Sequence, residues 1–399
     1  EWVNMKEISD IYCKKRRIEE IDNILSCLVE EIGLTEAMKE KAVRSYKAVG
    51  SVLDDSIPFE LSIYPQGSLN LGTAIRPYTE SDDYDIDLVC KMNGAIDISP
   101  KELKKMVGNV LLSHGVYAPK TTEGKRCWKM DYDGYHMDIL PASDTDYEKS
   151  DYYGKSEIRI THTEDFLKYE NRFSNPKGYK AWFLLQTRKN EIGHFSLNEK
   201  EIRASVETVP EYNKLSILQK VIQLLKRHRD IAFEGSEDCA PISVIISTLA
   251  ARAYGGEQSI STALLTILTN MDQFIENREG IYWIANPVDS NENFADKWQL
   301  FPERKAAFYW WLEKARTDLA AFLAHRSGLP ELFSSMESKF GERAVKRAAT
   351  HYSASKRRSR ESGNLLLDKN SGEVLAVGEG TGSLGKIPKH TFFGITECD

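Results

Sequence analysis

The segment 64–89 constrains the fold more than any other part of the chain. In it a Gly67-Ser68 turn is followed, after a polar loop, by an Asp-Ile-Asp motif that opens an apolar run. Side chains two residues apart on a strand share a face, with Cα atoms about 6.6–6.8 Å apart. Asp85 and Asp87 are therefore predicted to point the same way. Two like charges about 4 Å apart repel by about 4 kcal/mol at an effective dielectric constant near 20, and bound divalent cations would turn that repulsion into attraction.

A third carboxylate, Asp138, lies in a second predicted strand, 135–140. If the two strands pair, three carboxylates converge on one surface. Two metal ions about 3.5–4 Å apart would then suit an in-line phosphoryl displacement, and Mg²⁺ prefers oxygen ligands. The Gly67-Ser68 turn would offer backbone N–H groups and a hydroxyl to a triphosphate. The alternative interpretation is a set of solvated surface carboxylates, because an isolated Asp-x-Asp pair is weak evidence by itself.

Composition favours a cytoplasmic enzyme over a nucleic-acid or membrane protein. The chain has 399 residues, a net charge of −7 and a hydrophobic content of 41%, and an acidic balance is unusual for a protein that grips duplexes. No apolar run approaches the ~20 residues of a membrane helix, and the first residues lack the apolar core of a signal peptide. Six scattered cysteines without a Cys-x-x-Cys pair favour reduced thiols over a disulfide framework or zinc site.

Residue patterns predict an α+β N-terminal lobe followed by a helical lobe. Pro141 is predicted to end the strand before it, because proline cannot donate to a ladder. Residues 143–176 are polar and loop-rich, and 190–213 irregular. The predicted domains are a catalytic lobe (1–205), with long N-terminal helices that can span both lobes, a helical lobe (206–360) and a Gly-rich tail (361–399). Predicted helices are 6–31, 35–52, 99–112, 177–189, 215–233, 241–254, 260–278, 296–325 and 332–347, and predicted strands are 59–64, 84–92, 125–132 and 135–140.

Together these motifs resemble the polymerase-β-type nucleotidyltransferase superfamily. The sequence Gln-Gly-Ser, an acidic loop that ends in DYDIDLV, and a later strand aspartate carry that resemblance. More narrowly, the chain resembles the bacterial cGAS/DncV-like nucleotidyltransferases, the SMODS family of anti-phage CBASS operons. The narrower resemblance covers roughly residues 40–345 and rests on LLKRHRD at 224–230, PISVIIS at 241–247 and the NP…ENFADKW segment at 286–298.

The resemblance implies a polymerase-β-like catalytic lobe, a helical C-terminal lobe and a nucleotide cleft between them. Such an enzyme joins ribonucleoside triphosphates, ATP among them, into cyclic di- or trinucleotides with release of pyrophosphate. It implies two Mg²⁺ ions, with Mn²⁺ as a substitute. Control would come from an operon-encoded regulator or from release of an inhibitor, and the sequence does not choose between them. Carried onto this chain, the metal triad is Asp85, Asp87 and Asp138, the phosphate-binding turn is Gln66, Gly67 and Ser68, and the positions that reach the donor triphosphate are Lys226 and Ser243. Without the family pattern, the basic run 226–229 would be predicted to be a solvated helix face.

Several alternatives stay open. The chain has neither the zinc-binding insertion nor the basic platform of the animal sensor in this superfamily, so activation by duplex DNA is not expected. A template-independent RNA nucleotidyltransferase or a linear 2′–5′ oligoadenylate synthase would share the same motifs. A toxin that modifies protein or tRNA is disfavoured by the large helical lobe. A catalytically inactive nucleotide-binding scaffold is disfavoured by retention of all three carboxylates.

Overall fold

A seven-stranded mixed sheet forms the first half of the molecule. The computed structural model describes residues 5–79, 83–146, 156–189, 215–325 and 328–362, and the backbone of three short strands beyond them. The sheet order is β1-β2-β5-β4-β3, and β6 and β7 extend it from β5. Strands β2 and β5 run parallel, and the other described pairs are antiparallel. The strands are β1 (Leu61–Gln66), β2 (Tyr84–Met92), β3 (Thr121–Glu123), β4 (Trp128–Tyr132), β5 (Tyr135–Ser143), β6 (Ile158–His162) and β7 (Glu170–Ser174).

Two helices cover one face of this sheet and leave the other face to the cleft. Helix α2 (Glu36–Ser56) begins where Thr35 accepts a hydrogen bond from Met38 N, and α4 (Pro100–Ser113) begins with a capping box. Their apolar side chains pack with those of β2 and β5 in one core, which includes Ile86 and Ile139. Because strand side chains alternate, the residues on either side of Ile86 face away from this core.

The second half is built mainly from helices around a separate core. Helix α1 (Met5–Ile32) belongs to this core, because Ile24, Leu28 and Ile32 are fully buried among its side chains. The short helix α3 (Gly67–Leu71) and α5 (Pro176–Thr187) connect the two halves. The remaining helices are α6 (Ile217–Ala232), α7 (Ser243–Ala253), α8 (Ile260–Asn270), α9 (Pro302–Ala324), α10 (Leu329–Phe340) and α11 (Glu342–Glu361).

The predicted α+β architecture is confirmed, with two local corrections in the sheet. Strand β5 continues through Pro141 to Ser143. The ladder of β5 with β4 ends at Ile139, and its ladder with β6 begins at Ala142. Pro141 lies between these two ladders, where no ladder hydrogen bond on that side requires its missing N–H. Strands β6 and β7 occupy part of 143–176, which the sequence predicted to be loop. The predicted irregular segment 190–213 lies outside the described residues.

The helical half also contains small strands that the apolar pattern did not predict. Helix α8 ends at Asn270 rather than 278, and hairpins follow it. These strands are β8 (Glu276–Arg278), β9 (Ile281–Trp283), β10 (Ala285–Asn286) and β11 (Asp289–Asn293), and the tail adds β12 (Leu365–Asp368), β13 (Val374–Ala376) and β14 (Leu384–Lys386). Within the described ranges, no helix is long and apolar enough to cross a membrane. Among the cysteines whose side chains the structure describes, four are free: Cys27, Cys90, Cys127 and Cys239.

Candidate active site

Three carboxylates share one face of the sheet. Asp87 on β2 stands directly beside Asp138 on β5 in the parallel ladder, and Asp85 stands beside His136. Because Asp85 and Asp87 are two residues apart, they share the face opposite Ile86. The structure therefore brings the three predicted acidic residues to the same face, with Asp85 and Asp87 lining a cleft of about 470 Å³.

Burial and mutual repulsion raise the pKa of the two carboxyl groups on β2, Asp85 and Asp87. Burial, and then the negative charges of Asp85 and Asp138, raise the pKa of Asp87 to about 7, against the opposing charges of Lys226 and Lys129. Loss of solvation in the cleft and the charge of Asp138 also raise the pKa of Asp85. A site that concentrates negative charge in this way has the electrostatic character of a cation site.

The donor chemistry of the triad suits a hard divalent cation. Carboxylate oxygens are the ligands that Mg²⁺ prefers, and substrate phosphates commonly complete its coordination. As the side chains stand, no group of three or more His, Cys, Asp or Glu in the described part of the chain is close enough to hold an ion. Asp138 Oδ2 instead accepts a hydrogen bond from Cys127 Sγ at 3.3 Å. The three residues therefore have the donor atoms of a metal centre and lie on one face of the sheet. Their side chains would have to rotate to bind the same ion.

A tight turn lies against the second aspartate. Strand β1 ends at Gln66, which pairs with Asp87, and Gly67 follows with φ +63°. A β-carbon at Gly67 would lie 2.0 Å from Asp87 Oδ2, so only glycine fits there without displacement. Gln66, Gly67 and Ser68 all line the cleft.

The C-terminal half of α6 also lines the cleft. Lys226 lies in the cleft wall, and its Nζ donates to the carbonyl oxygen of Thr73 at 2.9 Å. Burial, and then the charge of Arg229, lower the pKa of Lys226 to about 8, against the attraction of Asp85 and Asp87. Lys226 is thus a buried ammonium group close enough to the carboxylates for their charges to interact.

Arg229, one turn further along α6, organises the start of α7. Its Nη1 donates to Pro241 O at 2.8 Å and to Ser243 Oγ at 3.2 Å, and its Nε donates to Asp230 at 2.7 Å. Ser243, Arg229 and Asp230 line the cleft beside Lys226. The sequence motif contains Arg229 and Asp230, but its pattern did not single them out.

The basic run 226–229 is not a solvated helix face. Lys226, Arg227 and His228 are each 5% exposed or less. Arg227 is not among the residues that line the cleft, and its Nη2 donates to the carbonyl oxygen of Arg76. The simple interpretation of the charge pattern is therefore wrong, because α6 lies between the two halves and has little free surface.

Comparison with known proteins identifies the family. Residues 62–141 match the family described as "Cyclic GMP-AMP synthase DncV-like, nucleotidyltransferase domain". The chain is 30% identical over 294 residues to a c-di-GMP synthase of Roseivirga ehrenbergii, covering 71% of this chain and 74% of that protein. This chain belongs to the DncV-like nucleotidyltransferase family. It is thus an enzyme of the nucleotidyltransferase class, as the motifs predicted.

A further sequence relative and two solved structures are also similar to this DncV-like chain. The cyclic dinucleotide synthase CdnG of Bradyrhizobium diazoefficiens is 26% identical over 350 residues, covering 82% of each chain. A solved structure of that CdnG with GTP superposes with a TM-score of 0.62 at 22% identity, covering 83% of this chain and 99% of that one. The complex of E. coli MS115-1 CdnC with HORMA-deltaN has a TM-score of 0.53 at 15% identity and covers 81% of this chain and 96% of that one. The predicted α+β fold, with a mixed sheet and a helical C-terminal region, is confirmed.

A hairpin in the helical half of this DncV-like enzyme adds cleft residues that sequence reasoning left without a role. Asn286 and Glu292, on β10 and β11, line the cleft together with Phe294 and Tyr179. Their motif was recognised in the sequence as NP followed by EN. Which of its side chains face the cleft depends on an irregularity in the hairpin register between Ala285 and Asn286.

Proposed function

We propose that this DncV-like enzyme joins ribonucleoside triphosphates into a cyclic oligonucleotide second messenger, most simply a cyclic dinucleotide, and releases pyrophosphate. The observation that carries the proposal is the pairing of Asp87 with Asp138 across β2 and β5, with Asp85 on the same face at a cleft of nucleotide size. The relatives named as a c-di-GMP synthase and a cyclic dinucleotide synthase support the same reaction class. GTP and ATP are the first substrates to test.

The triphosphate of the donor nucleotide would lie between the Gly67 turn and α6. Backbone N–H groups of the turn and the Ser68 hydroxyl would donate to phosphate oxygens from one side, with Gln66 beside them. Lys226 would supply a compact positive charge from the other side. Ser243, whose Oγ accepts a hydrogen bond from Arg229, would donate a hydrogen bond from its hydroxyl group to the same phosphates.

The carboxylates would position the attack. Asp85, Asp87 and Asp138 are the residues that would hold two Mg²⁺ ions, or Mn²⁺ in their place, and these ions would neutralise charge on the triphosphate when bound. The oxygen of a ribose hydroxyl forms a bond to the α-phosphorus of the donor, and the bond from that phosphorus to pyrophosphate breaks. Asp138 stands at the side of Asp87 away from the Gly67 turn. We assign its carboxylate as the acceptor of the hydroxyl proton, and a second attack of the same kind closes the ring.

Product analysis tests the proposal. The purified chain is incubated with Mg²⁺ and each of the four triphosphates, alone and in pairs, and products are identified by mass before and after phosphatase treatment. A cyclic product has no terminal phosphate and keeps its mass, whereas a linear oligoadenylate loses its 5′-phosphates. Asp85→Asn with Asp87→Asn should abolish pyrophosphate release in a folded protein. Undiminished release by this variant would contradict the site assignment.

We further propose that the messenger acts in anti-phage signalling in the cytoplasm, where triphosphates are available, under control of an operon-encoded protein. The relative CdnC forms a complex with a HORMA protein, which supports regulation by a partner. Addition of duplex DNA should leave turnover unchanged, and DNA-dependent turnover would contradict this mode of control. Cells carrying the operon should lose protection in a plaque assay when the Asp85→Asn, Asp87→Asn variant replaces the native enzyme.

A further inference from the structure

We propose that Glu292 selects guanine by accepting hydrogen bonds from its Watson–Crick edge, an inference that rests on the proposed function because it concerns a nucleotide in the same cleft. Glu292 lies on β11 and is partly buried. It lines the same cleft as Asp85 and Asp87. No phosphate-binding or acid–base role in the proposed reaction uses it.

The carboxylate is held in place by one buried amide. Asn286 is 6% exposed, and its Nδ2 donates to Glu292 Oε2 at 2.6 Å. Asn286 Oδ1 accepts a hydrogen bond from the backbone N–H of Val288 at 3.0 Å. Because a backbone N–H can only donate, the amide oxygen must face Val288, and the NH₂ group must face Glu292. The orientation of the amide is therefore fixed by the hairpin, and it presents the carboxylate at a defined angle.

Hydrogen bonds from Asn293 and Arg252 hold the hairpin in place. Asn293 Oδ1 accepts hydrogen bonds from Ile284 N and Ala295 N, and its Nδ2 donates to Tyr282 O. Arg252 adds a hydrogen bond to Ala285 O at 2.8 Å. A polar group that must discriminate between bases benefits from such support, because a rigid site loses little by rearrangement.

The neighbouring surface suits a flat base. Phe294 follows Glu292 by two residues and lines the cleft, and its ring meets that of Tyr179 edge to face at 6.2 Å between centroids. Tyr179 is anchored through its hydroxyl to Thr248 at 2.8 Å. An aromatic wall beside a fixed carboxylate gives a nucleobase both a stacking surface and a polar edge contact.

The chemistry of the acceptor group favours one base. A carboxylate has acceptor oxygens only, and guanine is the one common base that presents two adjacent donors, N1–H and N2–H₂, on its Watson–Crick edge. Adenine and cytosine place a lone pair beside their amino group, and uracil places its single N–H between two carbonyl oxygens. Each would set an acceptor against the carboxylate of Glu292. Burial also raises the pKa of Glu292, so two further donors would favour its charged form.

Substrate competition with Glu292→Gln tests the inference. The native enzyme should prefer GTP over ATP by about 10- to 100-fold in kcat/KM. It should also use inosine triphosphate, which lacks the 2-amino donor, less well than GTP. Glu292→Gln should lose that preference, because an amide can donate to adenine N1 and accept from its amino group. Glu303→Gln, an exposed change on α9 away from the cleft, should keep the native preference.

Equilibrium binding separates this inference from the proposed function. Calorimetric titration of GTP and ATP into the native chain and Glu292→Gln reports base preference even if no product forms. Equal losses of affinity for GTP and ATP would indicate that the Glu292 carboxylate binds a group that all nucleotides share, such as the ribose diol. That result would overturn the inference. An unchanged GTP preference in Glu292→Gln, or a native enzyme that prefers ATP, would also overturn it. Failure to form any oligonucleotide, with the GTP preference in binding intact, would count against the proposed function alone.

Discussion

Gly67 and Asp87 are in contact so close that no side chain fits between them: a β-carbon on Gly67 would lie 2.0 Å from Asp87 Oδ2. The glycine also has φ +63°, which other residues rarely adopt. The phosphate-binding turn and the carboxylate pair are therefore one structural unit. Any side chain at position 67 would therefore displace the carboxylate of Asp87.

Gly67→Ala should cost activity far more than stability. The methyl group must displace the Asp87 carboxylate, and a misplacement near 1 Å can reduce turnover by about 100-fold. The matched control is Gly94→Ala, since Gly94 has φ +78° and nothing lies within 4 Å of its added β-carbon. Both variants should lose about 1–2 kcal/mol of unfolding free energy from the left-handed backbone, as measured in urea. If Gly94→Ala lost as much turnover as Gly67→Ala, the contact with Asp87 would not explain the effect.

Lys226→Met, in the part of the cleft formed by α6, should weaken catalysis without lowering the stability of the fold. Loss of a buried charge that faces the triphosphate should lower kcat/KM by about 10- to 100-fold. The unfolding free energy should stay nearly unchanged, because burial already disfavours the charged ammonium group and offsets the lost bond to Thr73. Lys220→Met, on the same helix outside the cleft lining, should retain native kinetics. Native kinetics for Lys226→Met would remove this residue from the proposed site.

His228 links α6 to α9 through a chain of hydrogen bonds with a defined tautomer. Trp311 Nε1 donates to His228 Nδ1 at 3.1 Å, and His228 Nε2 lies 3.1 Å from Asp318 Oδ2. A tryptophan N–H can only donate, so Nδ1 is the acceptor and Nε2 carries the proton toward Asp318. The hydrogen bond from His228, and then that from Lys314, lower the pKa of Asp318 to about 2, against burial.

Asp318→Asn should therefore lose stability in a pH-dependent way. The pKa of about 2 in the folded protein lies below the ordinary value of about 3.9. The carboxylate then stabilises the fold fully above about pH 4, and this contribution is lost as pH falls toward 2. We expect the variant to lose about 1–2 kcal/mol of unfolding free energy at pH 7, with the difference from the native protein narrowing below pH 4. Asp55→Asn, at an exposed position, should differ little from the native protein at any pH, and a constant difference for Asp318→Asn would contradict this account.

Two helical glycines should respond to alanine with opposite signs. A β-carbon at Gly108 on α4 would lie 2.0 Å from the buried ring of Trp128. Gly108→Ala should lower the unfolding free energy by about 1–3 kcal/mol through overpacking. At Gly50 on α2 the nearest atom is Ile63 Cδ1 at 3.4 Å, so Gly50→Ala should raise it by about 0.5–1 kcal/mol through helix propensity. Denaturant unfolding of both variants checks the signs, and stabilisation by Gly108→Ala would show that α4 is free to shift away from β4.

Local rules in the sequence determined much of this protein. The two-residue alternation of DYDIDLV predicted strand Tyr84–Met92 and the shared face of its two aspartates. Ser99 followed by Pro100 is a local start signal for α4, and Asp133-Gly134 is a local turn signal between β4 and β5. These features depend on backbone conformation and neighbouring side chains, which a short segment of sequence already contains.

Only the tertiary structure decided which residues meet. The parallel register that puts Asp138 beside Asp87 joins segments about fifty residues apart, and no local pattern sets it. Burial of Arg227 and His228, the passage of β5 through Pro141, and the presentation of Glu292 by Asn286 each depend on a partner from another element. A side chain's solvation and hydrogen-bond partners are properties of the packed fold. The sequence therefore indicated which functional groups take part in the reaction, but only the packed fold determined which residues come together around the cleft.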